Sequence, residues 1–127
     1  MSREDSAFIE FPEFMPLHYN RAIRVGDLVF VAGQIPAKDG QIVHQGDVEM
    51  QTRQVYENLR TVLAQAGATL DDVVQETIYL SDKSLLPQVA KTRLDYYSKS
   101  YPTNTTVFGS EGEGYVVEVS AIAHTGG

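Results

Sequence analysis

The sequence predicts one α+β domain spanning residues 1–127, in which helices cover one face of a sheet. The length of 127 residues suits a single hydrophobic core. Apolar residues between Asp47 and Ala68 repeat at helical spacing, whereas apolar, β-branched and aromatic runs on both sides are typical of strands. The predicted order is β-β-β-α-β-α-β-β.

The first half of the chain is expected to contribute three strands. Ala7–Phe11 is β-prone, and Tyr19–Val25 and Leu28–Ala32 are joined by a tight-turn signal that predicts a hairpin. The apolar run from Leu28 onward predicts a strand that is buried on both faces. Gly33 ends this run without a side chain, so a ligand or another backbone could approach there. Residues Ala37–Gly46 are predicted to form a loop.

The second half alternates helices with strands. The helix over Asp47–Ala68 is followed by a strand at Val73–Leu80. A second helix is expected next, capped from Ser81, Asp82 or Ser84, with one apolar side formed by Leu86, Val89, Ala90, Leu94 and Tyr97. The last two predicted strands, around a loop at Gly109–Gly114, are Thr103–Phe108 and Tyr115–Ala123. Because these strands are too apolar to leave a broad face in water, we expect a closed homo-oligomer with sites between subunits.

Composition narrows the possible functions. The net charge of −7 without a cluster of Lys or Arg argues against nucleic-acid binding. Cysteine is absent, the N-terminus lacks an apolar signal region, and no run reaches membrane-spanning length, so we expect a cytoplasmic protein without a membrane partner. His18, His44 and His124 lack metal-ligand spacing, so neither a metal nor a cofactor is expected.

Several motifs in this order closely resemble the Rid/YjgF family of enamine and imine deaminases, also labelled endoribonuclease L-PSP-like. They are Gly33-Gln34-Ile35-Pro36, the helix segment Gln51–Leu59 and the ending Val117–Ala123. The resemblance runs from about Tyr19 to Ala123. It implies a chorismate-mutase-like fold with a mostly antiparallel sheet, a homotrimer, and small-molecule clefts between adjacent subunits.

The resemblance also implies a site from which one residue is missing. In deaminating members an Arg that follows the Pro before the fifth strand holds the substrate carboxylate, because a guanidinium binds a carboxylate bidentately. The matching position here is Asn104. Two further positions differ, since Ala32 replaces the usual serine and Ala90 the usual asparagine, whereas Tyr19, Gly33 and Glu118 match.

Each candidate residue keeps an alternative interpretation. Glu118 could position a catalytic water or be a structural acid, and Tyr19 could cover a ligand or be an interface aromatic. Asn104 could contact a ligand, a neutral one in particular, or simply fill space. Arg93 and Arg21 could replace the missing guanidinium or be ordinary paired side chains.

Two functions therefore remain open at this point. One is hydrolysis of an imine, enamine or related C=N bond in a small metabolite, with Glu118 orienting water, Tyr19 and Asn104 holding the ligand, and Gly33 lining the pocket floor. The other is a non-catalytic protein that binds or senses a small metabolite.

Overall fold

The structure, a computed structural model, describes residues 7–9, 19–109 and 112–126. These residues form eight strands and two α-helices, which in chain order are β1 (Ala7–Ile9), β2 (Ala22–Val25), β3 (Leu28–Gln34), β4 (Ala37–Lys38), β5 (Gln41–Ile42), α1 (Val48–Gln65), β6 (Val73–Leu80), α2 (Leu86–Arg93), β7 (Thr103–Phe108) and β8 (Val117–His124). Short 3-10 turns cover Leu70–Asp72, Lys83–Leu85 and Leu94–Tyr96.

Six of the strands form one sheet in the order β1-β2-β3-β8-β6-β7. All neighbouring pairs are antiparallel except β6 and β7, which are parallel because α2 carries the chain back between them. This arrangement confirms the predicted α+β class and its mostly antiparallel sheet. The predicted hairpin of β2 and β3 is also confirmed, with Val25 paired to Leu28 across the turn.

The hydrophobic core lies between the sheet and the helices, with α1 packed against β3 and β8. Alternate residues of β3, β6 and β8 face it, which follows from the period of two along a strand. Helix α1 begins where Asp47 accepts a hydrogen bond from the Met50 backbone N–H at 3.0 Å. The largest fully buried apolar side chains are Tyr56, Leu59, Leu63, Ile78, Leu80, Val29, Val55, Val62 and Val89.

The prediction that the strand at Leu28 is buried on both faces is wrong for the single chain. In β3, Val29 and Val31 are buried, whereas the alternating Leu28 and Phe30 are 37% and 42% exposed. The helices cover one face of the sheet, and the described residues leave the face that carries Phe30 partly open. An apolar run therefore indicates that both faces avoid water, but the fold of one chain covers only one of them.

Three local predictions need correction. Residues predicted as a loop contain the hairpin of β4 and β5, because Asp39 (φ 52°) and Gly40 (φ 78°) form a turn with two positive φ angles. Helix α2 begins at Leu86 with Pro87 in its first turn and receives no side-chain cap from the predicted serines or aspartate. Leu94, expected on its apolar side, is 46% exposed because the chain has already left the α-helix there.

Other bounds differ by a few residues. The predicted strands starting at Tyr19 and Tyr115 begin at Ala22 and Val117, and the first helix ends at Gln65. The end of the first predicted strand and His18 lie outside the described residues. Among the described residues, no helix combines the length and apolarity that crossing a bilayer requires.

Gln51 on α1 joins two loops to the helix. Its buried side-chain amide donates to the backbone oxygens of Val43 (3.1 Å) and Gly114 (2.9 Å) and accepts from the Val116 N–H (3.2 Å). Three backbone groups therefore depend on one side chain for a partner. This amide fixes the loop that leads into β8.

Replacing Gln51 with leucine is expected to lower the free energy of unfolding by about 2–3 kcal/mol, because the three backbone groups lose their partner. Urea denaturation followed by circular dichroism measures this. The matched control is Gln65→Leu at the exposed end of the same helix, which should change stability by less than about 0.5 kcal/mol. Equal effects of the two substitutions would contradict the role given to Gln51.

Candidate functional site

Glu118 and Gly33 lie against each other at the junction of β8 and β3. The register of these strands shifts between Val31 and Gln34, so Gly33 lies in an irregularity of the ladder. The Glu118 carboxylate lies directly over the Gly33 backbone: a methyl group at position 33 would overlap Oε2 and would stand 2.9 Å from Cδ. The group that approaches Gly33 is therefore a carboxylate of the same chain, and any side chain at position 33 would force that carboxylate to move.

Burial affects the pKa of this carboxylate. Glu118 is half-buried, and the loss of solvent raises its pKa above the ordinary value of a glutamate. The pKa of Tyr115 is raised as well, by burial first, then by the negative charge of Glu118 and by the nearby Tyr19 hydroxyl. These four residues, Tyr19, Gly33, Tyr115 and Glu118, are called the carboxylate cluster below. A raised pKa makes this carboxylate a stronger proton acceptor than an ordinary glutamate.

Tyr115 is a member of this cluster that the sequence did not single out. Its ring lies over Gly112, where a side chain would overlap the ring. It also borders an open depression of about 340 Å³ lined by Gln45, Gly46, Ser81, Gly112, Gly114, Tyr115 and Val116. In the sequence, Tyr115 was merely the first residue of a predicted strand, and no motif set it apart.

A second cluster surrounds Glu76 of β6, which is 0% exposed. Its Oε2 accepts hydrogen bonds from the hydroxyls of Tyr56 (2.9 Å) and Tyr97 (2.7 Å). Its Oε1 accepts from the Asn104 side-chain amide (3.1 Å) and forms an ion pair with Arg93. Four donors thus hold one buried carboxylate, the condition under which burying a charge is tolerated. These five residues are called the Glu76 cluster.

Arg93 is held inside this cluster. Its guanidinium carbon lies 5.2 Å from the ring centre of Tyr97 and 5.8 Å from that of Tyr101, which are cation–π distances. Burial works against the charge of Arg93, but the neighbouring Glu76 carboxylate outweighs it and raises the Arg93 pKa. Its Nε is buried, and no acceptor among the described residues lies within hydrogen-bond distance. The guanidinium therefore pairs with Glu76 and packs against two aromatic rings.

Asn104 lies at the open edge of the Glu76 cluster. Its Nδ2 donates to Glu76, and its Oδ1 accepts from the Thr106 hydroxyl at 2.8 Å. Asn104 shares a strand face with Thr106 and Phe108, as predicted, since the three pair with Glu76, Ile78 and Leu80 of β6. Ala90 is half-buried on α2, one turn before Arg93.

The two clusters lie on opposite faces of the sheet. Asn104 pairs with Glu76, whose side chain points to the helices, whereas Glu118 pairs with Tyr79 on the other face. Val117 and Val119, which flank Glu118, are buried in the core, so Glu118 itself faces away from it. One chain therefore brings Tyr19, Gly33 and Glu118 together and Asn104 and Arg93 together, but it does not join the two sets.

The remaining candidate residues, Ala32 and Arg21, lie in or next to strands β3 and β2. Ala32 lies in β3 beside Gly33, and its N–H donates to the backbone oxygen of Arg21 at 2.8 Å. Arg21 precedes β2 and is buried. Within residues 19–109 and 112–126, no group of three His, Asp or Glu side chains is placed to hold a metal ion.

Comparison with known proteins decides the family. A family model described as endoribonuclease L-PSP matches residues 15–125. This chain belongs to the Rid/YjgF family. The crystal structure of YyfA, a Rid family protein of unknown function from Yersinia pestis, superimposes with a TM-score of 0.85 at 33% identity, covering 94% of this chain and 98% of that one. The resemblance stated from the sequence and the YjgF/L-PSP fold it implied are confirmed.

Two curated relatives extend the Rid/YjgF assignment. A RutC family protein of Pyrococcus abyssi is 39% identical over 109 residues, which are 84% of this chain and 85% of the relative. The 3-aminoacrylate deaminase RutC of Acinetobacter baylyi is 30% identical over 108 residues, covering 84% and 86% of the two chains. The Rid/YjgF similarity therefore spans most of the chain.

Glu76 is, with Tyr115, a residue of this Rid/YjgF chain that sequence reasoning missed. A signal existed, because Glu76 alternates with Ile78 and Leu80 and therefore shares their buried side of the strand. Its partners Tyr56, Arg93 and Asn104 come from α1, α2 and β7, and nothing in the spacing links them.

Proposed function

We propose that this protein hydrolyses a C=N bond in a small metabolite, with Glu118 positioning and activating the attacking water. The single observation that carries the proposal is the half-buried Glu118 carboxylate with a raised pKa, held over the Gly33 backbone. The name of its relative, a 3-aminoacrylate deaminase, supports the same class of reaction. The proposal makes the protein an imine or enamine deaminase.

The chemistry needs one residue that moves a proton. Water attacks the imine carbon, the C–O bond forms as the C=N π bond breaks, and Glu118 accepts the proton that water loses. Glu118 returns that proton to the nitrogen, which gives a carbinolamine. Glu118 then carries the hydroxyl proton of the carbinolamine to the nitrogen, the C=O π bond forms as the C–N bond breaks, and ammonia leaves a carbonyl compound. A carboxyl with a raised pKa suits both steps, because its pKa is closer to neutral pH than that of an ordinary glutamate.

The proposed site lies between two copies of the chain. Since the carboxylate and Glu76 clusters lie on opposite faces of the sheet, one ligand reaches both only when a second copy supplies one of them. The sheet face that carries Leu28 and Phe30 stays partly exposed, which favours closed assembly through that face. A homotrimer is the assembly proposed. In it, Tyr19 and Glu118 of one copy would face Asn104 of another.

The test is ammonia release from freshly generated 2-aminoacrylate, 2-iminobutyrate and 3-aminoacrylate, and from 2-iminobutanamide, the neutral analogue of 2-iminobutyrate. We expect the protein to accelerate release from at least one of them, and Glu118→Gln to lose about 100-fold or more of that rate. Glu113→Gln, an exposed acid of the neighbouring loop, serves as the matched control and should keep the activity. No acceleration by the unchanged protein, or equal rates for both variants, would contradict the proposal.

The rate should also depend on pH in a defined direction. Only ionised Glu118 accepts the proton of water, so activity falls as the pH drops through the Glu118 pKa. Because burial raises that pKa, the acidic limb should lie above the ordinary glutamate value of about 4.3. A pH–rate profile that stays flat down to this value would contradict the role of Glu118.

The Glu76 cluster favours a second candidate function. Asn104 stands where deaminating members have an Arg, and Arg93 is paired with Glu76. A protein that retains the cleft but lacks the chemistry would bind a small metabolite without turnover. Binding by calorimetry without ammonia release would identify this function.

A further inference from the structure

We infer that the Asn104 end of the site selects a neutral carboxamide-like group and discriminates against a carboxylate, because Glu76 neutralises Arg93 beside it. This inference rests on the proposed function, which places Asn104 in the ligand site. It concerns which ligands bind, not whether they react.

The first step is the charge of the Glu76 cluster. The buried carboxylate of Glu76 and the guanidinium of Arg93 form an ion pair, so together they carry no net charge. The other two groups on that carboxylate, the hydroxyls of Tyr56 and Tyr97, are neutral, and burial and the Glu76 charge raise their pKa values further. The cluster therefore offers an incoming anion no uncompensated positive charge.

The second step is the orientation of the Asn104 amide. The NH2 group of Asn104 donates to the Glu76 carboxylate, and the amide oxygen accepts from the Thr106 hydroxyl, so these two contacts fix which way the amide faces. One N–H and one lone pair of this amide remain after these contacts. Since Asn104 is exposed at the sheet edge, a ligand can reach them.

The third step is the match between ligand and amide. A carboxamide offers one N–H and one carbonyl oxygen, so it can donate to the Asn104 oxygen and accept from its N–H at the same time. A carboxylate can only accept hydrogen bonds, so it can accept from the Asn104 N–H but has no donor for the Asn104 oxygen. Its second oxygen would then face the Asn104 oxygen, and the two lone pairs would repel each other. It also loses hydration without gaining a cation. Glu118 across the proposed site and the net charge of −7 add to the repulsion.

The test compares 2-oxobutyrate with 2-oxobutanamide by isothermal titration calorimetry. These probes differ only in the group that should meet Asn104. We expect the unchanged protein to bind the amide about 10- to 100-fold more tightly than the carboxylate. Equal affinities, tighter binding of the carboxylate, or binding of neither probe up to its solubility limit would overturn the inference.

Variants test the cause of the selectivity. Glu76→Gln leaves the Arg93 charge uncompensated and should shift the affinity ratio toward the carboxylate by about tenfold or more. Glu49→Gln changes the net charge equally at an exposed position on α1 and should leave the ratio unchanged. A ratio that Glu76→Gln and Glu49→Gln move equally would overturn the assigned cause. Should Glu76→Gln fail to fold, Asn104→Arg on the exposed strand provides the same shift by adding a guanidinium.

One more variant separates this inference from the proposed function. If Asn104→Ala leaves both affinities unchanged, the ligand does not reach Asn104, and the placement of the proposed site is wrong as well. If Asn104→Ala weakens both probes while the unchanged protein prefers the carboxylate, only the selectivity is wrong.

Discussion

Replacing Glu76 with alanine is expected to lower the free energy of unfolding by about 3–5 kcal/mol, because it leaves the Arg93 guanidinium buried without a counter-charge. The hydroxyls of Tyr56 and Tyr97 lose their shared acceptor at the same time. Since a domain of this size is stable by only about 5–15 kcal/mol, the loss should be evident in urea denaturation or as incomplete folding.

The control is an ion pair of the same chemistry at the surface. Glu49→Ala removes one of the two acidic partners of Arg53 on α1, where Glu49 is exposed and Arg53 is partly exposed to solvent. That substitution should change stability by less than about 1 kcal/mol, because water screens the pair and Asp95 still neutralises Arg53. A Glu76→Ala protein as stable as Glu49→Ala would show that the Glu76 cluster is not buried as the structure has it.

Gly33→Ala is expected to reduce ammonia release by about 100-fold, because the added methyl group displaces the Glu118 carboxylate that the proposed function uses. The stability cost should be smaller, about 1–3 kcal/mol, since the overlapping atoms belong to the end of a side chain that can move. Activity and urea denaturation measure the two effects separately.

A double-mutant cycle assigns these effects to one contact. Glu118→Ala removes the atoms that a methyl group at position 33 would meet, so Gly33→Ala should destabilise the Glu118→Ala protein much less than the unchanged one. The loss of activity in the double variant should likewise be smaller than the sum of the losses in the two single variants. Additive effects on stability would mean that Gly33 is needed for its backbone conformation and not for the approach of Glu118.

Local signals were sufficient for several elements of the fold. The strands Val73–Leu80 and Thr103–Phe108 were predicted with the bounds that the structure shows, because apolar and β-branched runs there end at clear turn residues. The first helix was predicted from its apolar stripe, and only its ends moved. The predicted cap of the second helix was wrong. Several polar residues precede Leu86, but none of their side chains caps the helix.

The candidate site could be predicted from the sequence only in part. Glu118 and Gly33 were singled out separately, and the structure places them in contact through the pairing of β8 with β3. Asn104 was singled out for what it lacks, a guanidinium, whereas its actual contact is the buried Glu76. No spacing along the chain predicts that contact, because the two residues are joined by the parallel pairing of β6 with β7.

The sequence by itself determined the class of fold, the family and the order of the elements apart from the short β4–β5 hairpin, since these depend on periodicity, turn chemistry and motif order along the chain. Only the tertiary structure decided which faces of the sheet carry Glu118 and Asn104, and that Arg93 is neutralised by Glu76. The physical reason is that charge compensation and burial depend on distances between segments remote in sequence. Strand register and helix packing set those distances.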